Sequence, residues 1–201
     1  LGVDIFFVIN GFLLVPSVCK AIDDSAFSFF NFMEKRIVRL LPLIVLASVT
    51  SLILGYFLML PDDYENLAQT VIASNMFSEN ILSLITTNYW DVQTGYKPLM
   101  HLWYVGILFE FYIILPLILM LVSKIAASFK QNKMQSMTNT ILLLTIISFV
   151  LYLAPFASSS GKFYMLPFRF FELGIGGVIA LIYQQKRKYI LQNPASHLLV
   201  T

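Results

Sequence analysis

The residues of this chain that could do chemistry are ionisable side chains inside apolar segments. His101 and Glu110 lie in KPLMHLWYVGILFEFYIILP, residues 97–116, which is long enough to cross a bilayer. A carboxylate in hydrocarbon is costly, so Glu110 is expected to face the bundle interior at about 16 Å depth, near the bilayer centre. On one helix the two positions lie about 180° apart, which predicts different neighbours for each. His101 is alternatively an interfacial histidine beside the aromatic pair Trp103 and Tyr104.

A second group of charges opens the segment PFRFFELGIGG. Arg169 and Glu172 are three positions apart, a spacing that lets their side chains pair along one helix face. They either neutralise each other, or Arg169 holds an anionic group of a substrate. The glycines that follow, Gly174, Gly176 and Gly177, indicate close helix packing first and cavity space second.

Two arginines in EKRIVRLLP form a third candidate. Arg36 and Arg39 are placed on one side of a helix at the start of an apolar run, an arrangement suited to a phosphate group. Ordinary anchoring by basic residues on the cytoplasmic side explains the same pattern. Asp4 and Asn10, in the first apolar run, are further polar groups that need partners inside the protein.

Composition places these residues in a membrane protein. The chain of 201 residues is 58% hydrophobic and 12% charged, and its mean hydropathy is +0.79. The net charge of +2 is too small to indicate a nucleic-acid partner. The single cysteine, Cys19, excludes an internal disulfide, and we interpret it as a small apolar filler. Nucleotide-binding glycine loops and HExxH or CxxC metal motifs are absent from the sequence.

The apolar runs predict an all-α, polytopic transmembrane helix bundle of about five spans. Most of the 13 Lys and Arg residues fall in alternate connections, after the first, third and fifth spans, which predicts that these connections are cytoplasmic. The expected spans are 2–18, 37–60, 99–122, 139–156 and 165–183.

The outer connection, residues 61–98, is acidic and long. Within it, 68–77 and 81–85 are apolar but too short to span, so we expect helices that lie at the interface or fold over the bundle. Such a loop either roofs a cavity or packs on lipid headgroups.

Four segments together resemble the integral-membrane acyltransferase family, type 3. They are LGVDIFFVINGFLL (1–14), FMEKRIVRLLPL (32–43), KPLMHLWYVGILFEFYIILPL (97–117) and LPFRFFELGIGGVIAL (166–181), and they occur in the family's order. Three positions depart from the family's pattern: Tyr104 and Asn10 each replace a serine, and Leu108 stands where a glutamate is usual, two positions before Glu110.

The resemblance implies an enzyme that transfers an acyl group, typically acetyl, from acyl-CoA to a hydroxyl of a cell-envelope polysaccharide, peptidoglycan or glycolipid. It implies that Arg36 and Arg39 bind the donor and that no metal is used. It also implies membrane lipids and a cell-surface or lipid-linked acceptor as partners, and the plasma membrane of a bacterium as the location. The catalytic candidates are His101, Glu110, Arg169, Glu172 and Asp4.

We expect residues 1–189 to form a partial transmembrane acyltransferase-like domain and 190–201 to be a loop or a truncated segment. The chain begins inside an apolar run without a methionine, so we expect a missing first helix. The resemblance implies that this helix carries the principal general base. Two alternatives remain open: a transporter or channel fragment whose charges line a path, and a structural subunit whose polar groups hold helices together.

Overall fold

The computed structural model describes residues 2–86, 98–155 and 157–192, with side chains described as far as Gln185. All regular elements within these ranges are helical, so the all-α prediction is confirmed. A 3₁₀ turn, Met100–Leu102, precedes α5. The helices are α1 (Gly2–Asp23), α2 (Phe29–Leu58), α3 (Pro61–Asn75), α4 (Glu79–Thr86), α5 (Trp103–Ser128), α6 (Lys133–Leu153), α7 (Ser159–Tyr164) and α8 (Leu166–Gln192).

In the part of the chain that the structure describes, five helical segments are long and apolar enough to cross a membrane: Gly2–Asp23, Phe29–Leu58, Met100–Ser128, Lys133–Leu153 and Ser159–Gln185. This confirms the predicted bundle of about five spans. The last helix continues to Gln192, past the predicted end of the domain at residue 189, and residues 193–201 lie outside the described part of the chain.

Helix ends differ from the predicted span ends because polar residues continue the helices beyond the apolar runs. Helix α2 begins at Phe29, so Arg36 and Arg39 lie about two turns inside it and not at its start. Helix α6 begins at Lys133, where the side chain of Asn132 caps it by accepting from the backbone N–H of Gln135 (3.1 Å). A helix can continue into polar residues because its backbone hydrogen bonds form there as well. The end of an apolar run therefore does not show where the helix ends.

Tertiary contacts divide the chain into two units. The first comprises Leu1–Phe27, Leu117–Val150 and Phe170–Thr201, and the second Ser28–Pro116 and Leu151–Arg169. The first unit contains α1 with parts of α5, α6 and α8. Its core side chains are almost completely buried: Phe7, Val15, Cys19, Leu119, Met137, Ile141 and Leu173. The buried position of Cys19 confirms its role as an apolar filler.

Close approach of α1 and α8 defines the packing of the first unit. A Cβ atom at Gly11 would overlap the carbonyl of Leu173, and one at Gly176 would overlap the carbonyl of Val8. A Cβ at Gly177 would come within 2.6 Å of the side chain of Val15. The predicted packing role of the α8 glycines is therefore confirmed, since only glycine lets the two backbones touch here.

The second unit is built around α2 and the helices of the outer connection. Helix α3 packs antiparallel along α2: the side chain of Leu67 lies 2.6 Å from the position that a Cβ atom of Gly55 would occupy, and Asn75 donates to Ser48 Oγ (2.9 Å). Whether these helices lie at the interface or fold over the bundle stays a prediction. Pro61 and two aspartates occupy its first turn, where a missing N–H and negative charge are both favourable. Residues 87–97, which include part of the acidic outer connection and Lys97, the first residue of the segment 97–116, lie outside the described residues.

Candidate active site

Glu110 is the centre of a polar cluster in the second unit. Its Oε1 accepts a hydrogen bond from Asn80 Nδ2 (2.7 Å), and its carboxylate also accepts from the backbone N–H of Leu166. Asn80 Nδ2 donates in addition to the carbonyl of Tyr164 (3.2 Å). One amide therefore joins α4 to α5 and α7, and the carboxylate joins α5 to the first residue of α8. The prediction that Glu110 finds polar partners inside the protein is confirmed.

The hydrogen bond to Leu166 joins Glu110 to the first residue of α8. Two short helices, α4 and α7, neither long enough to cross a bilayer, fold against the first turns of α5 near this carboxylate. The depth of about 16 Å in the bilayer stays a prediction for Glu110.

Gly106 makes the position of Asn80 possible. Asn80 is 2% exposed, and a Cβ atom at Gly106 would overlap its Oδ1. Gly106 lies four residues before Glu110, on the same face of α5, so the glycine provides the space and the carboxylate accepts the hydrogen bond. Asn80 is a site residue that the sequence did not predict. The available signal was a polar residue beside the apolar stretch 81–85 together with a glycine one turn from Glu110.

Glu79, next to Asn80 in α4, is a further buried acid that the sequence analysis counted only among the outer charges. It is 2% exposed, and its Oε1 accepts from Ser83 Oγ (2.9 Å). Two consecutive polar residues at the start of α4 therefore point into the second unit. Both belong to a helix that the sequence identified only by its apolar residues.

A strained residue forms the corner between α3 and α4. Phe77 has a φ of 56°, in the left-handed region that non-glycine residues rarely adopt. Its ring is 9% exposed and stacks on Phe109 with centroids 4.2 Å apart. The ring packing stabilises a backbone conformation that costs about 1–2 kcal/mol for an L-residue. This corner directs α4, and with it Asn80, toward Glu110.

Arg169 lies among aromatic rings at the start of α8. Its guanidinium carbon is 5.0 Å from the ring centroid of Phe163 and 5.8 Å from that of Trp103, and its Nε donates to the Phe163 carbonyl (3.3 Å). The residue is 9% exposed. Trp103 also contacts the ring of Tyr164, whose carbonyl accepts from Asn80, so Arg169 and Glu110 belong to one connected cluster.

Arg36 is held between two aromatic rings of α2 and α5. Its guanidinium carbon is 5.1 Å from the centroid of Phe32 and 5.3 Å from that of Tyr112, and these rings meet edge to face at 87°. Its Nε is buried and has no hydrogen-bond partner among the described residues. Arg39 is exposed. The two arginines therefore differ: one is fixed by stacking and the other projects outward.

The remaining predicted site residues are His101, Glu172 and Asp4. His101 is exposed and lies in the 3₁₀ turn, so the helical-wheel angle assumed between it and Glu110 does not apply. Glu172 is 6% exposed in α8, and Asp4 is half-buried in the first turn of α1. Both belong to the first unit, whereas His101, Glu110, Arg169, Arg36 and Arg39 belong to the second.

Comparison with known proteins assigns the chain to a family. A family model described as an acyltransferase domain matches residues 1–199, nearly the whole chain. The chain belongs to this acyltransferase family. The resemblance of its four motifs is thereby confirmed, and the transporter and structural alternatives are not favoured.

Relatives in bacteria support the same assignment. The chain is 27% identical to an uncharacterized protein of Haemophilus influenzae, over 98% of this chain and 80% of that protein. It is 29% identical, over 93% of its length, to a Bacillus subtilis protein named "Putative peptidoglycan O-acetyltransferase YrhL". It is 33% identical, over 59% of its length, to a Staphylococcus aureus protein named as a "putative O-acetyltransferase". The alignments span 29% and 20% of these two named relatives. No solved structure matches the chain.

Proposed function

We propose that this acyltransferase chain forms the membrane part of an O-acyltransferase that uses acyl-CoA, with acetyl-CoA as the principal donor. The acceptor is a hydroxyl of a cell-envelope polysaccharide, peptidoglycan or glycolipid. In the reaction a bond forms between the hydroxyl oxygen and the acyl carbon, and the carbon–sulfur bond of the thioester breaks. The hydroxyl proton ends on the coenzyme thiol, so no metal or external oxidant is required.

The observation that carries the donor side of the proposal is the setting of Arg36. A cation fixed between two rings is prepared to bind an anion through its terminal nitrogens without first losing side-chain freedom. Arg39, one turn further on the same side of α2, adds an exposed second cation. We assign the pair to the phosphates of the coenzyme, at the cytoplasmic end predicted from the distribution of basic residues.

The acceptor side of the proposal rests on the cluster around Glu110. A carboxylate and a guanidinium lie within one group of buried side chains, where electrostatic interactions are stronger than in water. Arg169 is the candidate for stabilising negative charge on the acyl oxygen, and Glu110 and His101 are candidates for receiving the hydroxyl proton. Glu172 and Asp4 remain candidates from the first unit. We assign residues 1–189 to this acyltransferase domain, in a bacterial plasma membrane and in contact with its lipids.

Substitution of the two arginines tests the donor site. In the full-length protein, Arg36→Ala and Arg39→Ala are each expected to raise KM for acetyl-CoA about tenfold or more, because each removes a charge-assisted hydrogen bond of about 1.5–3 kcal/mol. Acetyl transfer from labelled acetyl-CoA to purified envelope glycan measures the effect.

The matched control is Lys35→Ala. Lys35 is an exposed cation of the same helix, between Glu34 and Arg36 in sequence, so its removal changes the net charge equally. Unchanged KM in both arginine variants, or an equal rise in the lysine variant, would remove the donor-site assignment while leaving the acyltransferase family intact.

A further inference from the structure

A pocket in the first unit is independent of the residues assigned above. It lies where α1 and α5 end and α6 begins, and it has a volume of about 220 Å³. Its lining combines apolar side chains with two ammonium groups and two hydroxyl groups: Ile22, Ser25, Phe27, Met120, Ser123, Lys124, Ala127 and Lys133. Acidic side chains do not line it, and Asp23 and Asp24 stand exposed on the preceding turn.

The polar groups that line the pocket are hydrogen-bond donors, and two of them are positively charged ammonium groups. Lys124 and Lys133 provide ammonium groups, and Ser25 and Ser123 provide hydroxyls. Lys133 is also the first residue of α6, so the positive end of a helix of 21 residues lies at the pocket. A donor-rich pocket at a positive helix end favours an anion with several acceptor oxygens.

Ser123 offers a hydroxyl group to an occupant of this pocket. The residue is 6% exposed and lines the pocket. Its hydroxyl oxygen is not one of the buried side-chain atoms that lack a partner, so the oxygen opens into the pocket. Thr138, Thr140 and Thr145 in α6 donate to the carbonyl four residues earlier, whereas Ser123 makes no such bond among the described residues. The hydroxyl is therefore available to donate to an acceptor oxygen in the pocket.

The size of the pocket restricts the occupant. Sites for whole cofactors and drug-sized molecules are about 300–1,000 Å³, so a pocket of about 220 Å³ accommodates a phosphorylated end group and not a complete coenzyme. Exposed apolar side chains continue from the same part of α5, with Leu121 59% and Ile125 50% exposed. A charged group in the pocket with an apolar chain along this helix has the chemistry of a phospholipid.

We propose that this pocket binds the phosphate of an anionic ligand and that its occupant in the membrane is the headgroup of an anionic phospholipid. Lys124 and Lys133 neutralise the phosphate, and Ser123 donates to one of its oxygens. The pocket lies on the side predicted to be cytoplasmic, where anionic headgroups attract basic residues. This proposal does not depend on the acyl-transfer reaction.

Binding of fluorescent phosphatidylglycerol to the full-length protein tests the proposal, with fluorescent phosphatidylcholine as the reference lipid. At about 1 M salt the Debye length is about 3 Å, so general attraction to the basic helix ends is screened. We expect Lys124→Ala and Lys133→Ala each to weaken phosphatidylglycerol binding about fivefold. Ser123→Ala is expected to weaken it by a similar factor without changing any charge.

Lys130→Ala is the matched control, since Lys130 is an exposed lysine of the same connection that does not line the pocket. It should leave binding unchanged at this salt concentration, and circular dichroism should show equal helicity in all variants. Equal binding by the Ser123 and pocket-lysine variants and the unsubstituted protein would overturn the proposal. So would an equal loss in the Lys130 variant.

A second arm distinguishes the source of the phosphate. CoA, which also carries phosphates, is tested for protection of Lys124 and Lys133 against amine modification. Protection by CoA that is lost in Ser123→Ala, without selective retention of phosphatidylglycerol, would support the phosphate site and overturn the lipid as its occupant.

Discussion

At the scale of single residues, Asn80 makes two hydrogen bonds in the candidate site, although the sequence pattern did not predict it. Its amide donates to Glu110 from α4 and to Tyr164 at the end of α7. Because Glu110 Oε1 accepts this hydrogen bond in a largely apolar setting, removal of the donor leaves the acceptor less well satisfied. Positions separated by 30 residues in sequence are involved, so no local pattern connects them.

A double-mutant cycle measures this interaction. Asn80→Ala and Glu110→Ala, which each remove one partner of the hydrogen bond, are each expected to lower the free energy of unfolding by about 1–3 kcal/mol. The double variant should lose less than the sum, with a coupling of about 0.5–3 kcal/mol. Equilibrium unfolding in mixed micelles provides the values, and additive losses would show that the two side chains do not cooperate.

Phe77 and Lys130 form a matched pair of strained residues. Both have φ values near 55°, at 56° and 53°, and both follow the end of a helix, but Phe77 is buried and Lys130 is exposed. Lys130→Gly should stabilise the protein by up to about 1 kcal/mol by relieving the backbone. Phe77→Gly should destabilise it by about 2–3 kcal/mol, because the lost ring packing of about 3–5 kcal/mol exceeds the relief. Thermal unfolding in detergent distinguishes the signs, and stabilisation by both substitutions would contradict the role given to the Phe77 ring.

At the scale of helices, the sequence predicted which segments are helical better than it predicted where each helix ends and which helices it contacts. Runs of about 20 apolar residues identify spans because the bilayer sets that length. The first residues of α2 and α6 were left out of the predicted spans. They mix polar and apolar residues within a continuous helix, in Phe29–Arg36 and Lys133–Thr138. The α8 glycines were correctly interpreted because small residues at the surface of a membrane helix have one main use. The contact between Asn80 and Gly106 was not predicted, because it forms only when α4 folds against α5.

The crossing of α1 and α8 gives a prediction for the glycines. Gly176→Ala and Gly11→Ala should each destabilise the protein by about 1–3 kcal/mol, because the added methyl group meets a carbonyl of the opposite helix and not a flexible side chain. Gly2→Ala is the control, since no atom lies within 4 Å of the position that its Cβ would occupy. Unfolding midpoints compare the three, and equal midpoints for the Gly2 and Gly176 variants would exclude the proposed contact.

At the scale of the whole molecule, the distribution of Lys and Arg predicts the topology. Glu65 in α3 and Lys130 after α5 are both exposed and belong to connections predicted on opposite sides. In intact cells, a cysteine replacing Glu65 should react with an impermeant maleimide, and one replacing Lys130 should react only after permeabilisation. Cys19 does not interfere, because it is 0% exposed. Labelling of both from outside would reverse the assignment of the donor side.

Trp103 gives the enzyme an intrinsic optical reporter. The sequence holds two tryptophans, and this one is 6% exposed, 4.5 Å from the Phe163 ring centroid and beneath the Arg169 guanidinium. Indole emission depends on nearby charge, so any molecule that draws the guanidinium away alters the colour and intensity of that fluorescence. Occupancy of the proposed acceptor side can therefore be followed in real time without attaching a dye.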